Sequence, residues 1–342
     1  MKEVINTNYS ENIDSTVKDR QEYIDGIEKI ISERCKDAAK KRLEYTKDIF
    51  DDPDKYREEL KEFLGWPLNQ KRPDALPETS SEFLYEEDGY KVYRMKFEII
   101  DGLKLTGLFF KVQTEEKRPF LIVQHGGGGT PERMSGIYGD TRNYNDLTQR
   151  VLKHKVHVFA PQVLLWKKDE YGVEYDRKEV DAKLKRVGSS ISALEIYAFE
   201  RVIDYFEKQD YTDKIGMVGL SYGGFFTLYL SALDTRIKSA VSCSYFSTRD
   251  AYPWADWTWR DYAYKFDDAE IACMIYPRHF AIEVGRNDAL FNINKSIESE
   301  KRLKKLCEKV GTDWYDYYIF EGVHEFCPDD THINNMINDL TK

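Results

Sequence analysis

From about residue 90 onward, the spacing of apolar residues alternates between a pattern typical of strands and one typical of helices. Short runs rich in β-branched and aromatic residues predict eight strands, at 91–99, 104–112, 120–124, 156–160, 214–220, 237–243, 279–284 and 314–320. Between the later runs, apolar residues at helical spacing predict helices over 190–208, 225–233 and 293–310. This alternation is typical of an α/β protein whose mostly parallel sheet is flanked by helices.

The first 80 residues have a different pattern. Residues 12–62 are dense in charge and carry isoleucines at helical spacing, which predicts helices with a break at Asp52-Pro53. A proline-containing stretch then leads to residue 80. We therefore divide the chain into a helical extension with its linker, 1–80, and an α/β domain, 81–342. A brace packed on the domain and a dimerisation arm both fit these helices.

Composition and charge narrow the class of protein. The 342 residues include 41% hydrophobic ones and carry a net charge of −10, which fits a globular protein and disfavours nucleic acid or an anionic membrane as a partner. The chain has no apolar run of about 18 residues and begins without the apolar segment of a signal peptide, which predicts a cytoplasmic protein. The five cysteines are scattered, and HExxH spacing is absent, so we expect no disulfide, no metal and no cofactor.

The segment Gly219-Leu220-Ser221-Tyr222-Gly223-Gly224 lies where a predicted strand gives way to a predicted helix. A strained strand-to-helix turn can hold a serine hydroxyl clear of the backbone and within reach of a base. Glycines flank such a serine because a Cβ at those positions would clash. We therefore expect Ser221 to be a nucleophile.

An acid and a base follow Ser221 in the chain. Asp288 comes directly after the predicted strand 279–284, at the edge where open α/β sheets build their sites. His324 follows the predicted strand 314–320 and is the one histidine of six in that position downstream of the acid. We expect His324 to take the Ser221 proton while Asp288 holds the imidazole.

The glycine-rich loop Gln124-His125-Gly126-Gly127-Gly128-Gly129-Thr130 follows the strand predicted at 120–124. Its glycines are not followed by Gly-Lys-Ser/Thr, which disfavours a phosphate loop. We expect one amide of Gly126 or Gly127, with that of Tyr222, to form an oxyanion hole.

Taken together, the HGGGG loop, the serine segment, Gly285-Arg286-Asn287-Asp288 and Gly322-Val323-His324-Glu325-Phe326 resemble the α/β-hydrolase superfamily, in its dienelactone-hydrolase-like and acetyl-xylan-esterase-like branch. The resemblance covers roughly residues 80 to 342. It implies the α/β-hydrolase fold, with eight strands. Dienelactone hydrolases carry cysteine where Ser221 stands, and prolyl-oligopeptidase-type peptidases, which are also similar, carry a β-propeller that is longer than this extension.

Two insertions are candidates for shaping a substrate pocket. The first, 162–187, contains Trp166, Tyr171 and Tyr175; the second, 245–274, follows the sixth predicted strand and is a candidate lid. Because indole faces stack on sugar rings and aromatic groups, we expect the second to bind substrate through the tryptophans Trp254, Trp257 and Trp259.

The function expected from these features is a serine hydrolase that cleaves carboxylic esters, such as acetyl, carbohydrate or phenolic esters, through an acyl-enzyme. Its partner would be a small-molecule ester, with a decorated sugar as one candidate, and the chain is compatible with a homo-oligomer. A small serine peptidase or acyl-aminoacyl hydrolase would use the same machinery. A binding protein with a silent hydrolase fold is the alternative of another class.

Overall fold

The structure is a computed structural model, and it describes residues 9–163, 172–173 and 175–342. The described strands form one sheet, with bounds β1 Thr79–Glu87, β2 Tyr90–Ile100, β3 Leu103–Val112, β4 Arg118–Gln124, β5 His157–Gln162, β6 Thr212–Leu220, β7 Ile237–Cys243, β8 His279–Gly285 and β9 Tyr315–Phe320. Their spatial order is β1-β2-β3-β5-β4-β6-β7-β8-β9. The pairs from β5 to β9 are parallel, and the three pairs that lead from β1 to β5 are antiparallel.

The α-helices in the described residues are α1 Val17–Tyr45, α2 Pro53–Leu64, α3 Pro131–Met134, α4 Leu147–Leu152, α5 Arg177–Lys185, α6 Ile191–Glu207, α7 Tyr222–Leu233, α8 Asp268–Cys273, α9 Ile293–Leu306 and α10 Thr331–Thr341. Helices α2, α6, α7, α8 and α9 contribute to the larger core on one face of the sheet. Helices α3, α4 and α10 contribute to the core on the other face. Both faces are covered because parallel strands bury side chains on both sides.

All eight predicted strands are present, but β1 is an additional strand that the sequence did not predict. Its residues are exposed or half-buried along the whole strand, so β1 lacks the apolar alternation that marks a strand in sequence. It is a strand because it pairs with β2 from Thr79 to Glu87. An edge strand held by backbone hydrogen bonds leaves no hydrophobic signal.

The two helices of the N-terminal extension differ in their packing. In α2, Tyr56, Leu60 and Leu64 are buried in the larger core, and the Arg57 guanidinium donates from Nε to the Ala232 carbonyl at 2.9 Å. In α1, the buried residues are Ala38 and Arg42, close to the helix C-terminus. Helix α2 is thus part of the body of the protein, whereas most of α1 lies on its surface. No helix in the described ranges has the length and apolar character needed to span a membrane.

Candidate active site

The carboxyl ends of the parallel strands meet at one edge of the sheet, and the candidate residues follow them. The glycine-rich loop follows β4, Ser221 follows β6, Asp288 follows β8 and His324 follows β9. In the sheet, β6 lies beside β4, and β7, β8 and β9 follow on the other side of β6. Residues that are up to 199 positions apart in sequence are therefore brought to one place by the sheet.

Ser221 occupies a strained turn between β6 and α7. Its backbone has φ 60° and ψ −115°, a conformation with positive φ that non-glycine residues rarely adopt. The Ser221 N–H donates to the Cys243 carbonyl at 2.8 Å, which fixes the turn to β7. Neighbouring backbone leaves no room for side chains: a Cβ on Gly219 would lie 2.5 Å from the Gly223 carbonyl, and one on Gly223 would lie 2.2 Å from the Gln124 carbonyl oxygen.

Asp288 and His324 form a hydrogen bond of 2.8 Å between Oδ2 and Nδ1. The second carboxylate oxygen of Asp288 accepts from the backbone amides of Leu290 and Phe291, at 2.8 and 2.9 Å. The Asp288 side chain is 2% exposed, and the His324 ring stacks on Phe291 with 5.6 Å between ring centroids. The carboxylate and the aromatic ring together fix the imidazole with Nε2 pointing away from Asp288.

Ser221 and His324 line a common cavity of about 290 Å³. Gly126, Gly127 and Tyr222 line it as well. Among the described residues, no hydrogen bond joins the Ser221 hydroxyl to His324. Catalytic hydrogen bonds are often long without substrate and shorten when it binds.

The candidate oxyanion donors lie beside Ser221, but they are not equivalent. Tyr222 directly follows Ser221 and is the first residue of α7, so its backbone N–H lies at the N-terminal end of that helix. The Gly126 N–H donates to the Tyr144 hydroxyl at 3.0 Å. Since that bond would have to break for Gly126 to serve, Gly127 is the better partner of Tyr222 in an oxyanion hole.

His125 holds the glycine-rich loop in place through hydrogen bonds of both its ring nitrogens. Its Nδ1–H donates to the Gly126 carbonyl at 2.7 Å, and its Nε2 accepts from the Val163 N–H at 3.4 Å. Only the neutral imidazole can make both bonds, because Nε2 must be unprotonated to accept. Burial lowers the pKa of His125 to about 4, which favours that neutral form.

The three candidate tryptophans have different positions. Trp254 lines the cavity that contains Ser221. Trp257 is 1% exposed and stacks against Trp254 with 4.6 Å between ring centroids, which leaves almost none of its surface accessible to a substrate. Trp259 packs against Tyr262 and is absent from the lining of the described cavities at the site, so a direct contact is not supported for it either. The aromatic side chains of this insertion pack against one another as part of the core, because the insertion covers α7.

A buried polar network behind the site was not predicted from sequence. The Tyr222 hydroxyl donates to Asp256 Oδ2 at 2.6 Å, and Arg177 donates from Nε to the same oxygen at 2.7 Å. The other two nitrogens of Arg177 form a bidentate pair with Glu195, at 2.8 and 2.7 Å. All four side chains are at least nine-tenths buried. In the sequence these four residues lie far apart and belong to no recognisable motif as a group, so no local pattern predicts the network.

A second cavity of about 560 Å³ adjoins the first. Trp254 and Tyr222 line both, and Tyr175, Arg177 and Asp256 are among the other residues of the second. The first insertion, where Tyr175 was expected to shape a pocket, therefore does contribute to one. The other two aromatic residues of that expectation, Trp166 and Tyr171, lie outside the described residues.

Comparisons with known proteins find structural but no sequence relatives. No family model matches the sequence, and no curated protein matches it. Among solved structures, a Bacteroides fragilis protein assigned as an acetyl xylan esterase is similar with a TM-score of 0.63 and 16% identity, over 81% of this chain and 79% of that one. A glucuronoyl esterase from Solibacter usitatus gives 0.60 and 12%, over 84% and 91%. Acetyl Xylan Esterase 1 from a Thermoanaerobacterium species gives 0.57 and 16%, over 84% and 93%.

These likenesses extend over most of each chain, although sequence identity is low. In this chain the fold comprises the parallel strands from β5 to β9, the sharp turn at Ser221 and the helices on both faces of the sheet. In the part of the chain that the structure describes, the sheet has nine strands, where the resemblance in sequence implied eight. The chain has the α/β-hydrolase fold.

Proposed function

We propose that this protein is a serine esterase that hydrolyses small carboxylic esters through an acyl-enzyme on Ser221. One observation carries the proposal. Ser221, in a strained strand-to-helix turn, and His324, held by a buried Asp288, line the same cavity. A fold kept only for binding has no need of a buried carboxylate that holds an imidazole in the same cavity as a strained serine.

The reaction would begin when Ser221 Oγ attacks the ester carbonyl carbon and its proton passes to His324 Nε2. Asp288, bonded to Nδ1, would stabilise the imidazolium that forms. The tetrahedral oxyanion would accept hydrogen bonds from the amides of Tyr222 and Gly127, a donor of this kind being worth about 3 to 4 kcal/mol. The intermediate would then collapse and expel the alcohol, which receives its proton from His324.

Water would complete the cycle. His324 would take a proton from a water molecule, and the resulting hydroxide would attack the acyl group on Ser221. Collapse of the second tetrahedral intermediate would release the carboxylic acid and return the proton to Ser221. Every proton is supplied and recovered by His324, so this route needs only the ester and water.

The shape of the site favours an ester with a small acyl group on a larger alcohol, such as an acetylated sugar or a phenol. The cavity at Ser221 is about half the volume of the one beside it, 290 against 560 Å³. Trp254 lies at their junction, where its indole face can stack on a ring. The similar solved structures are named as carbohydrate esterases, which is consistent with this substrate class.

A peptidase or acyl-aminoacyl hydrolase receives less support. Binding a peptide terminus would need a free cation, and three arginines in the loops after β7 and β8 do not supply one to the cavity: Arg249 is buried and pairs with Asp268 at 2.9 Å, Arg286 pairs with Glu321, and Arg260 is exposed beside Asp261. Arg133 and Arg142 do line the cavity, so an N-acylated amino acid is a useful comparison substrate.

The test is ester hydrolysis by the wild type and by Ser221→Ala, with p-nitrophenyl acetate, p-nitrophenyl octanoate, an acetylated sugar and an N-acetylated amino acid amide. We expect Ser221→Ala to lose about 10⁴-fold or more in kcat while its thermal unfolding is unchanged. Equal rates for the two proteins would overturn the nucleophile, and turnover of the amide alone would replace the esterase with an amidase. No turnover of any substrate would favour the non-catalytic alternative.

A further inference from the structure

Helix α1 leaves an apolar stripe uncovered on the surface. Among the large hydrophobic side chains of the described residues, seven on this helix are exposed by 41 to 73%: Leu43 near its end, and Val17, Tyr23, Ile24, Ile27, Ile30 and Ile31 in its first half. Isolated exposed apolar residues are common and need no explanation. Six within fifteen consecutive residues form a patch, and patches of this kind mark interaction surfaces.

This stripe continues the face by which the end of α1 is attached to the body. Ile24 and Ile31 precede the buried Ala38 by fourteen and seven residues, which are about four and two helical turns. They therefore lie on the same side of the helix as Ala38. The part of α1 from residue 17 to 31 extends the packed end by about 22 Å along the same line.

The attached end is held firmly. Arg42 is 5% exposed, donates to the Ala263 carbonyl at 2.8 Å, and lies 3.3 Å from an Asp267 oxygen and 3.5 Å from a Glu270 oxygen. Arg34 and Lys41 lie over the Tyr264 ring. The exposed stripe is thus presented in a fixed direction by a helix anchored at one end.

We propose that this stripe, Val17 to Ile31 of α1, is the interface of a homodimer, in which it packs against the same stripe of a second copy. A two-fold interface requires a patch that is complementary to itself, and a continuous apolar stripe meets this requirement. Six side chains that each expose on the order of 100 Å² provide roughly 600 Å² per copy. With the polar side chains at its rim, the patch approaches the 800 Å² per partner of a standard interface.

Charge favours a second copy over other occupants. The protein carries −10 overall, which opposes self-association, but residues 17–37 contain five basic and six acidic side chains and are nearly neutral. Two copies can therefore approach along this helix without strong repulsion. A helix that binds an anionic membrane needs a basic polar face, and the interspersed acidic residues here argue against one.

The test is sedimentation equilibrium of the full chain from about 1 to 100 µM, with Ile24→Glu/Ile31→Glu as the variant. In a dimer these glutamates would be buried without partners, which opposes association. Lys18→Gln/Lys29→Gln is the matched control, because it changes the net charge by the same two units at exposed positions on the opposite side of the same helix. Circular dichroism melting checks that all three proteins fold.

We expect the wild type and the control to be dimers and the stripe variant to have half their weight-average mass. A wild type that stays monomeric at 100 µM would overturn the proposal. So would a stripe variant that remains dimeric, since the interface would then lie elsewhere. Flotation of the wild type with vesicles containing 30% phosphatidylserine, lost in the stripe variant, would assign the stripe to a membrane instead.

Discussion

The hydroxyl of Tyr222 donates a hydrogen bond of 2.6 Å to Asp256, a residue of the lid-like insertion. Tyr222 also carries the amide proposed as an oxyanion donor, one residue after Ser221. The insertion is thereby connected to the first turn of α7, where the charge of the tetrahedral intermediate would be stabilised. Arg177 and Glu195 hold Asp256 from the other side.

Removing the Tyr222 hydroxyl should therefore lower turnover. We expect Tyr222→Phe to reduce kcat about tenfold with KM nearly unchanged, because the amide remains but its direction is less fixed. Steady-state kinetics with p-nitrophenyl acetate measures both constants. Tyr229→Phe is the matched control, because Tyr229 lies two turns further along α7 and its hydroxyl forms a buried 2.6 Å hydrogen bond with that of Tyr262 in the insertion. If both variants lose kcat equally, the effect is one of general stability.

Trp254 and Trp257 should have separable effects. Trp254→Ala should raise KM for esters of ring-containing alcohols about tenfold, since Trp254 lines both cavities. Trp257→Ala should instead lower the free energy of unfolding by about 3 to 5 kcal/mol, because it empties a fully buried site. Urea unfolding and KM measured on both variants check this. A raised KM for Trp257→Ala with unchanged stability would contradict its assignment to the core.

Gly223→Ala should prevent the turn at Ser221 from forming. Its Cβ would lie 2.2 Å from the Gln124 carbonyl oxygen. That oxygen belongs to the backbone, so it cannot move aside as the end of a flexible side chain could. We expect a loss of about 3 kcal/mol in unfolding free energy and of roughly 100-fold in ester hydrolysis. Gly26→Ala is the control, because no heavy atom lies within 4 Å of a Cβ there, and it should stabilise α1 by up to about 1 kcal/mol. Normal activity of Gly223→Ala would contradict this, because the backbone at Gln124 would then have to move far enough to accommodate the added methyl group.

His125 should make the fold less stable in acid. Its pKa falls to about 4 in the folded protein because the ring is buried, whereas an unfolded histidine titrates near 6.5. Between these values the unfolded chain binds a proton that the folded protein does not, so stability is lost as pH falls from about 6.5 to 4. The loss should approach about 3 kcal/mol.

Two measurements check this acid effect. Urea unfolding of His125→Gln between pH 7.5 and 4.5 should show a weaker dependence on pH than the wild type. If that variant does not fold, NMR titration of the His125 ring in the wild type serves. A ring that titrates near pH 6.5 would contradict the prediction. His157, whose pKa burial also lowers to about 4, contributes equally to both proteins and cancels in the comparison.

The sequence by itself determined the α/β architecture and predicted where the triad candidates would lie. Ser221, Asp288 and His324 each follow an apolar strand, and strands buried on both faces are recognisable as continuous apolar runs. Once the strands are parallel, their carboxyl ends must share an edge. The close approach of Asp288 to His324 therefore follows from local patterns and one rule of topology, although their proposed roles await the Ser221 test.

Only the tertiary structure decided which side chains line the site and which lie behind it. Trp254 and Trp257 are three residues apart and chemically identical, yet one lines the cavity and the other is in the core. The pairing of Tyr222 with Asp256, and the strand β1 held by β2, also depend on contacts between distant segments. Contacts between distant segments leave no periodic pattern in the sequence, because they depend on which surfaces meet after the chain has folded.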